Sequence, residues 1–209
     1  MLRRGRNDRR AKKSFSETPA DLLVVALGNP GSKYEHTRHN IGVEVLNVLA
    51  ERHDGRLKKG RELALVDEVR IGASRVALAF PQTFMNESGR SVIELVRRHG
   101  IEDLDKLLVV HDELDIPVGR FKVKLGGGLA GHNGLKSIKQ HLKTDEFGRL
   151  RLGIGSPHGN QRGANYVLGR PSQREWEELH VVIEEAADAV ELILAQGYEP
   201  AMNRYNTTS

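Results

Sequence analysis

The six residues Leu22–Leu27 carry no polar side chain, and Gly28-Asn29-Pro30-Gly31 ends them abruptly. A strand that uniform cannot keep one face in water, so it belongs inside a sheet covered on both sides. Leu107–Val110 repeats the pattern and runs straight into His111-Asp112-Glu113. Elsewhere the apolar spacing is helical: Ile41, Val45, Leu46 and Leu49; Val92, Leu95 and Val96; Leu135, Ile138 and Leu142; and a last stripe from Trp176 to Ile193. Gly55, Gly100 and Gly197 stop three of these stripes, and Ser172-x-x-Glu175 is a capping box that opens the last. Glu62–Ile71 and Arg75–Phe80, joined by Gly72-Ala73-Ser74, predict a hairpin. Phe121–Leu125 alternates apolar with basic, as a half-exposed strand does, and Leu150–Ile154 reads as a further strand. Strands alternating with helices, plus one hairpin, predict an α/β single domain with a mixed, twisted central sheet and helices on both faces.

The chain's 209 residues suit one domain with a substantial core. It has no cysteine, which excludes a disulfide scaffold, a cysteine-held zinc site and thiol catalysis. No apolar run approaches the ~18 residues of a membrane span. The formal net charge is +4, but residues 1–20 alone hold seven Lys/Arg against Asp8 and Glu17. The remaining 21–209 is therefore near neutral, and residues 1–20 read as a disordered basic tail ahead of the folded body. That tail lacks the apolar core of a secretory signal; a transit peptide, a nucleic-acid arm or an over-extended start all fit it. Within the body, residues 119–151 hold eight bases against Asp145 and Glu146. Such segregation fits a directed polyanion contact, or simply solvated helix and strand faces.

In open α/β sheets, ligands sit beyond the carboxyl ends of strands, so the turns there are the places to look for chemistry. After the first strand, His39 stands just before a helical stripe, where imidazolium is disfavoured and a general base stays neutral; the plain alternative is a helix start with Asn40 as cap. His36 and His39 also have a metal-pair spacing but no convergent carboxylate. Asp112, directly after a buried strand, is placed to orient a histidine, or to cap the strand. Pro81–Gly89 holds Phe84, Met85 and Asn86 at a strand-to-helix turn, where Asn86 can cap and the other two can be core. Gly126-x-Gly128-x-x-Gly131 has the spacing of a dinucleotide loop. Yet it does not follow the first strand, and Asp145-Glu146 precede the next strand instead of ending it. No Gly-Lys-Ser/Thr follows, which excludes a P-loop. What remains is a backbone cradle with Lys122, Lys124 and Arg151 nearby, suited to a phosphate-bearing polymer.

Taken in order, Gly28-Asn-Pro-Gly31 with Tyr34, Thr37-Arg-His-Asn40, Phe84-Met-Asn86 with Ser88-Gly89, and His111-Asp-Glu-Leu114 resemble bacterial-type peptidyl-tRNA hydrolase. Gly126-Gly-Gly128, Gly131-His-Asn-Gly134 and Arg149-Leu-Arg-Leu-Gly-Ile-Gly155 continue the likeness, which spans about residues 22–206. Ala130 departs from it, standing where many relatives have glycine.

The resemblance implies a monomeric cytoplasmic enzyme of translation, with no metal, no cofactor and no membrane partner. It would cleave the ester between peptide and tRNA 3′ ribose, recycling tRNA from peptidyl-tRNA that leaves the ribosome. It implies His39 as the base that activates water, Asp112 as its support and Asn29 as a catalytic amide favouring acylated substrates. Tyr34, Phe84, Met85, Asn86, His132 and Asn133 would meet the substrate end, and Lys124 and Arg151 the tRNA phosphates. A non-catalytic RNA-binding protein on the same scaffold is the competing expectation.

Overall fold

The computed structural model describes residues 18–157 and 163–206. Its frame is a seven-stranded sheet ordered β2-β3-β4-β1-β5-β7-β6. The strands are β1 (Leu22–Ala26), β2 (Lys58–Lys59), β3 (Ala64–Ile71), β4 (Ser74–Pro81), β5 (Leu107–Glu113), β6 (Phe121–Leu125) and β7 (Gly148–Gly153). The four inner strands β4, β1, β5 and β7 run parallel, while β3 turns back on β4 and β6 on β7. The mixed sheet expected from the hairpin is therefore present, with β2 as a short addition at the β3 edge.

The apolar run at β1 serves two cores at once. Leu22, Val24 and Ala26 point to one face, where α1 (Ile41–Arg52), α5 (Gln173–Gln196) and α6 (Tyr198–Tyr205) pack. Leu23, Val25 and Leu27 point to the other, against α2 (Ser88–Arg98) and α3 (Asn133–Leu142). Side chains alternate along a strand, so a run apolar at every position buries both faces. The Ser172–Glu175 capping box is closed as expected, Glu175 N–H meeting Ser172 Oγ and Ser172 N–H meeting Glu175. Two short helices lie outside the sequence reading: α4 (Gly163–Val167) and α6.

Residues 1–17 of the expected tail lie outside the described residues. Packed structure reaches back to Ala20, which is buried and whose N–H donates to the His99 carbonyl.

Candidate active site

Chain reversal beside β1 creates the site. From β1 the chain builds β4 on one side and then crosses to build β5 on the other, so the carboxyl ends of β1 and β5 form a topological switch point. The strand expected to stop at Val110 continues through His111, Asp112 and Glu113. These polar residues stay in the ladder because β7 pairs with them, Asp112 opposite Leu152 and Glu113 opposite Gly153. Asp112 is thus neither a turn former nor a strand cap; it is a buried carboxylate fixed in a central strand.

His39 comes to it from a single helical turn, Arg38–Asn40, that leads into α1. Its Nδ1 lies 2.9 Å from Asp112 Oδ1. Gly42 permits this approach: a Cβ there would sit 2.6 Å from the Val110 carbonyl oxygen. Only a glycine lets the first turn of α1 press on the β5 backbone, and that pressing carries His39 to Asp112.

A second histidine uses the same carboxylate oxygen, His132 Nε2 lying 2.9 Å from Asp112 Oδ1. His132 caps α3: its Nδ1 accepts the backbone N–H groups of Gly134 and Leu135, at 3.1 and 3.4 Å. Because Nδ1 is an acceptor, the ring's proton sits on Nε2, which donates to Asp112. By the same reasoning His39 donates through Nδ1, leaving Nε2 as its basic atom. Burial alone would raise the Asp112 carboxyl, but the charge attraction and hydrogen bonds of His132 and His39 hold it well below the usual carboxylate range. The carboxylate therefore remains ionised, as a group that orients an imidazole and stabilises its protonated form must.

His111 closes this cluster from behind. It is fully buried, donates from Nδ1 to its neighbour's carbonyl Asp112 O at 2.7 Å, and meets the His132 ring edge-on at 4.9 Å. Burial, aided by His132, pushes its imidazole down to about 3, so it packs as a neutral ring.

Asn29 is held on three sides. Its backbone N–H donates to Asn40 Oδ1 and its carbonyl accepts from Asn40 Nδ2, each at 2.9 Å. Its own Oδ1 accepts the Met85 backbone N–H at 2.8 Å, which turns the amide nitrogen into the remaining donor. Asn40 makes no side-chain cap to α1; it locks the Gly28–Gly31 turn instead.

These groups open on a cleft of about 600 Å³, large enough for a nucleoside or a short peptide end. His39, Asp112, Asn29, Phe84, Asn86 and Asn133 all line it, and Met85 and His132 complete the wall. Phe84 is an exposed aromatic at its rim, whereas Met85 is also core. Asn86 precedes α2 without capping it and is exposed in the cleft. Tyr34 does not line this cleft; its carbonyl receives the Thr37 hydroxyl in the turn before His39. The dinucleotide-like loop bends through left-handed Gly126, Gly127 and Gly131, and Ala130 shares that conformation at φ 45°. Buried Arg149 secures it by donating to the Gly128 and Asp145 carbonyls.

Lys124 and Arg151 lie outside the cleft. Lys122 and Lys124 of β6 stand opposite Arg151 and buried Arg149 of β7, so that Lys122, Lys124 and Arg151 form one basic edge. Arg151 reaches the edge braced by buried Glu113, whose Oε2 accepts from its Nε and Nη2 at 3.1 and 3.0 Å. Glu113 and Arg149 have no role of their own legible within the motifs that contain them, because their partners come from other strands and loops.

The metal pair suggested by spacing does not form: His36 pairs with Glu44 at 3.0 Å while His39 turns to Asp112. His39, Asp112 and His132 do bring three ligand atoms within 4.8 Å of one another. Their nitrogens, however, aim at one shared oxygen, which is the geometry of hydrogen bonds.

An imidazole whose basic nitrogen is unpartnered among the described residues, backed by a buried ionised carboxylate and ringed by three neutral amides, is the constellation of a water-activating hydrolytic enzyme. The family profile described as peptidyl-tRNA hydrolase matches residues 23–209. A peptidyl-tRNA hydrolase of Mycolicibacterium gilvum is 47% identical over 189 residues, covering 90% of this chain and 98% of the relative. One from Chloroflexus aurantiacus is 45% identical over 184 residues, covering 88% and 98%. The crystal structure of peptidyl-tRNA hydrolase from Acinetobacter baumannii is similar with a TM-score of 0.84 at 35% identity, covering 91% of this chain and 98% of that one. The chain belongs to the peptidyl-tRNA hydrolase family.

Proposed function

We propose that this chain hydrolyses the ester joining a peptide to the 3′ ribose of tRNA, releasing peptide and reusable tRNA. The observation that carries the proposal is the His39–Asp112–His132 cluster, whose hydrogen bonds leave His39 Nε2 as the basic atom at the cleft. In the reaction, Nε2 takes a proton from water as the water oxygen attacks the ester carbonyl. Ionised Asp112 stabilises the imidazolium so formed. The tetrahedral oxyanion is met by neutral amide N–H donors, of which Asn29 Nδ2 is the one its surroundings orient. Collapse breaks the bond to the ribose oxygen, which takes the proton back from His39.

Asn86 and Asn133 would contact the acylated end of the substrate, with Phe84 and Met85 against its apolar parts and Tyr34 nearer the turn. An amide wall suits a peptide bond, whereas a free ammonium presents the wrong charge and donor pattern. Lys124 and Arg151 would hold tRNA phosphate, giving affinity without sequence reading. Their basic edge adjoins the glycine loop, which supports tRNA lying over β6 and β7. A monomer acting in the cytoplasm completes this reading; among the described residues no helix is long and apolar enough to cross a membrane.

The test is hydrolysis of N-acetyl-aminoacyl-tRNA beside the same tRNA carrying an unblocked amino acid. Release of the blocked residue, with the unblocked ester spared, is the expected result. Tight tRNA binding without turnover would instead favour a non-catalytic RNA-binding protein.

A further inference from the structure

A second cleft, about 710 Å³, meets the first at Asn29, which lines both. It runs beside α1 from Asn40 to Glu51, ending near Arg56, with Val43, Leu65 and Phe80 as its apolar floor. Eleven residues of helix rise about 16 Å, the reach of about five extended residues. Its rim carries Glu35, Glu44 and Glu51 against Arg56 and His36. An acidic groove repels phosphate, and the basic edge at β6 and β7 lies on the opposite side of β1 in the sheet.

We propose that this groove is a binding site for the peptide portion of the substrate beyond the residue nearest the ester, with selectivity for basic side chains. The proposal rests on the hydrolase reading. The ester lies at the meeting point of the clefts, the tRNA leaves toward β6, and the nascent chain leaves past Asn29 along α1. The apolar floor takes backbone and aliphatic side chains, and exposed Asn47 offers an amide to the peptide backbone. The carboxylates of Glu35 and Glu51, both exposed, attract lysine or arginine about three to five residues from the ester.

The test compares three tRNA esters: N-acetyl-alanyl, and two hexapeptidyl forms carrying either Lys or Glu at the third and fourth residues from the ester. Exposed pairs contribute modestly, so the wild type should favour the Lys peptide about five-fold in kcat/KM. Glu35→Gln with Glu51→Gln should bring that ratio to about one, and Asn47→Trp should slow both hexapeptides about ten-fold. All three positions are exposed, so the fold is kept, and the N-acetyl-alanyl ester should be cleaved as in wild type. Equal rates for the two hexapeptides in wild type, or a preference that survives both variants, overturns the assignment. Failure of wild type to cleave even the short ester would strike the hydrolase reading instead.

Discussion

Asp112→Asn isolates the carboxylate's charge from its shape. Both histidines use Oδ1, so an amide can present the same acceptor to each and the cluster keeps its geometry. What should disappear is the attraction between the carboxylate and the imidazolium proposed to form on His39. With charge centres roughly 4 Å apart and an effective dielectric near 20, that attraction is about 4 kcal/mol. At about 1.4 kcal/mol per decade, kcat should fall about 10³-fold while KM changes less than about three-fold. The assay is single-turnover release of a labelled N-acetyl-amino acid from tRNA, with a thermal melt confirming the fold. Added to His39→Ala, the same substitution should cost less than about three-fold more, because the role proposed for Asp112 is exercised through His39. A loss under ten-fold in the single variant, full additivity in the double, or an unfolded Asp112→Asn protein would each show that the charge of Asp112 does not act through His39.

Other consequences follow from the surrounding structure. With Lys124 holding tRNA phosphate as proposed, Lys124→Ala should raise KM and reduce the slope of log KM against log salt by about one; an unchanged slope moves the tRNA path elsewhere. Arg151→Ala should do the same, with a lower melting temperature because buried Glu113 loses its partner. His111 takes its proton near pH 3 when folded but near 6.5 when unfolded, so the unfolded state binds it first as pH falls. Its contribution to stability is full above pH 6.5 and is lost toward pH 3, at up to about 1.4 kcal/mol per pH unit. Urea titrations between pH 4 and 7 should show that slope in wild type and a shallower one in His111→Asn; equal slopes would contradict it. Gly89→Ala would put a Cβ 2.2 Å from the Ser137 carbonyl oxygen, forcing α2 from α3. It should cost at least about 2 kcal/mol by chemical denaturation, with activity falling as α3 carries His132 and Asn133 out of place.

Much of this organisation was legible in the sequence because its signals are local. The unbroken apolar run at β1 identifies a doubly covered strand, and Ser172-x-x-Glu175 marks the start of α5. The end of β5 was misplaced because His111, Asp112 and Glu113 look like a polar turn, whereas pairing with β7 keeps them in the sheet. Sequence suggested that Asp112 would orient a histidine, but not that two histidines would share one of its oxygens. His132 lies twenty residues away, and its role depends on how β6 and the glycine loop bring the start of α3 to β5. Asn40 likewise reads as a helix cap; its actual partner, Asn29, is reached only because α1 packs back over the end of β1. Such long-range polar contacts leave no periodicity in the chain, only residue types suited to them.

His39 is the residue proposed to activate the water that cleaves acylated tRNA. The most direct test follows labelled N-acetyl-amino acid release from tRNA by wild type and His39→Ala, with unblocked aminoacyl-tRNA alongside. Loss of general-base help should slow the variant by about 10²–10⁴-fold, with the fold and tRNA binding intact and the unblocked ester spared by both proteins. Wild-type turnover retained within about three-fold by His39→Ala would show that His39 is not the base.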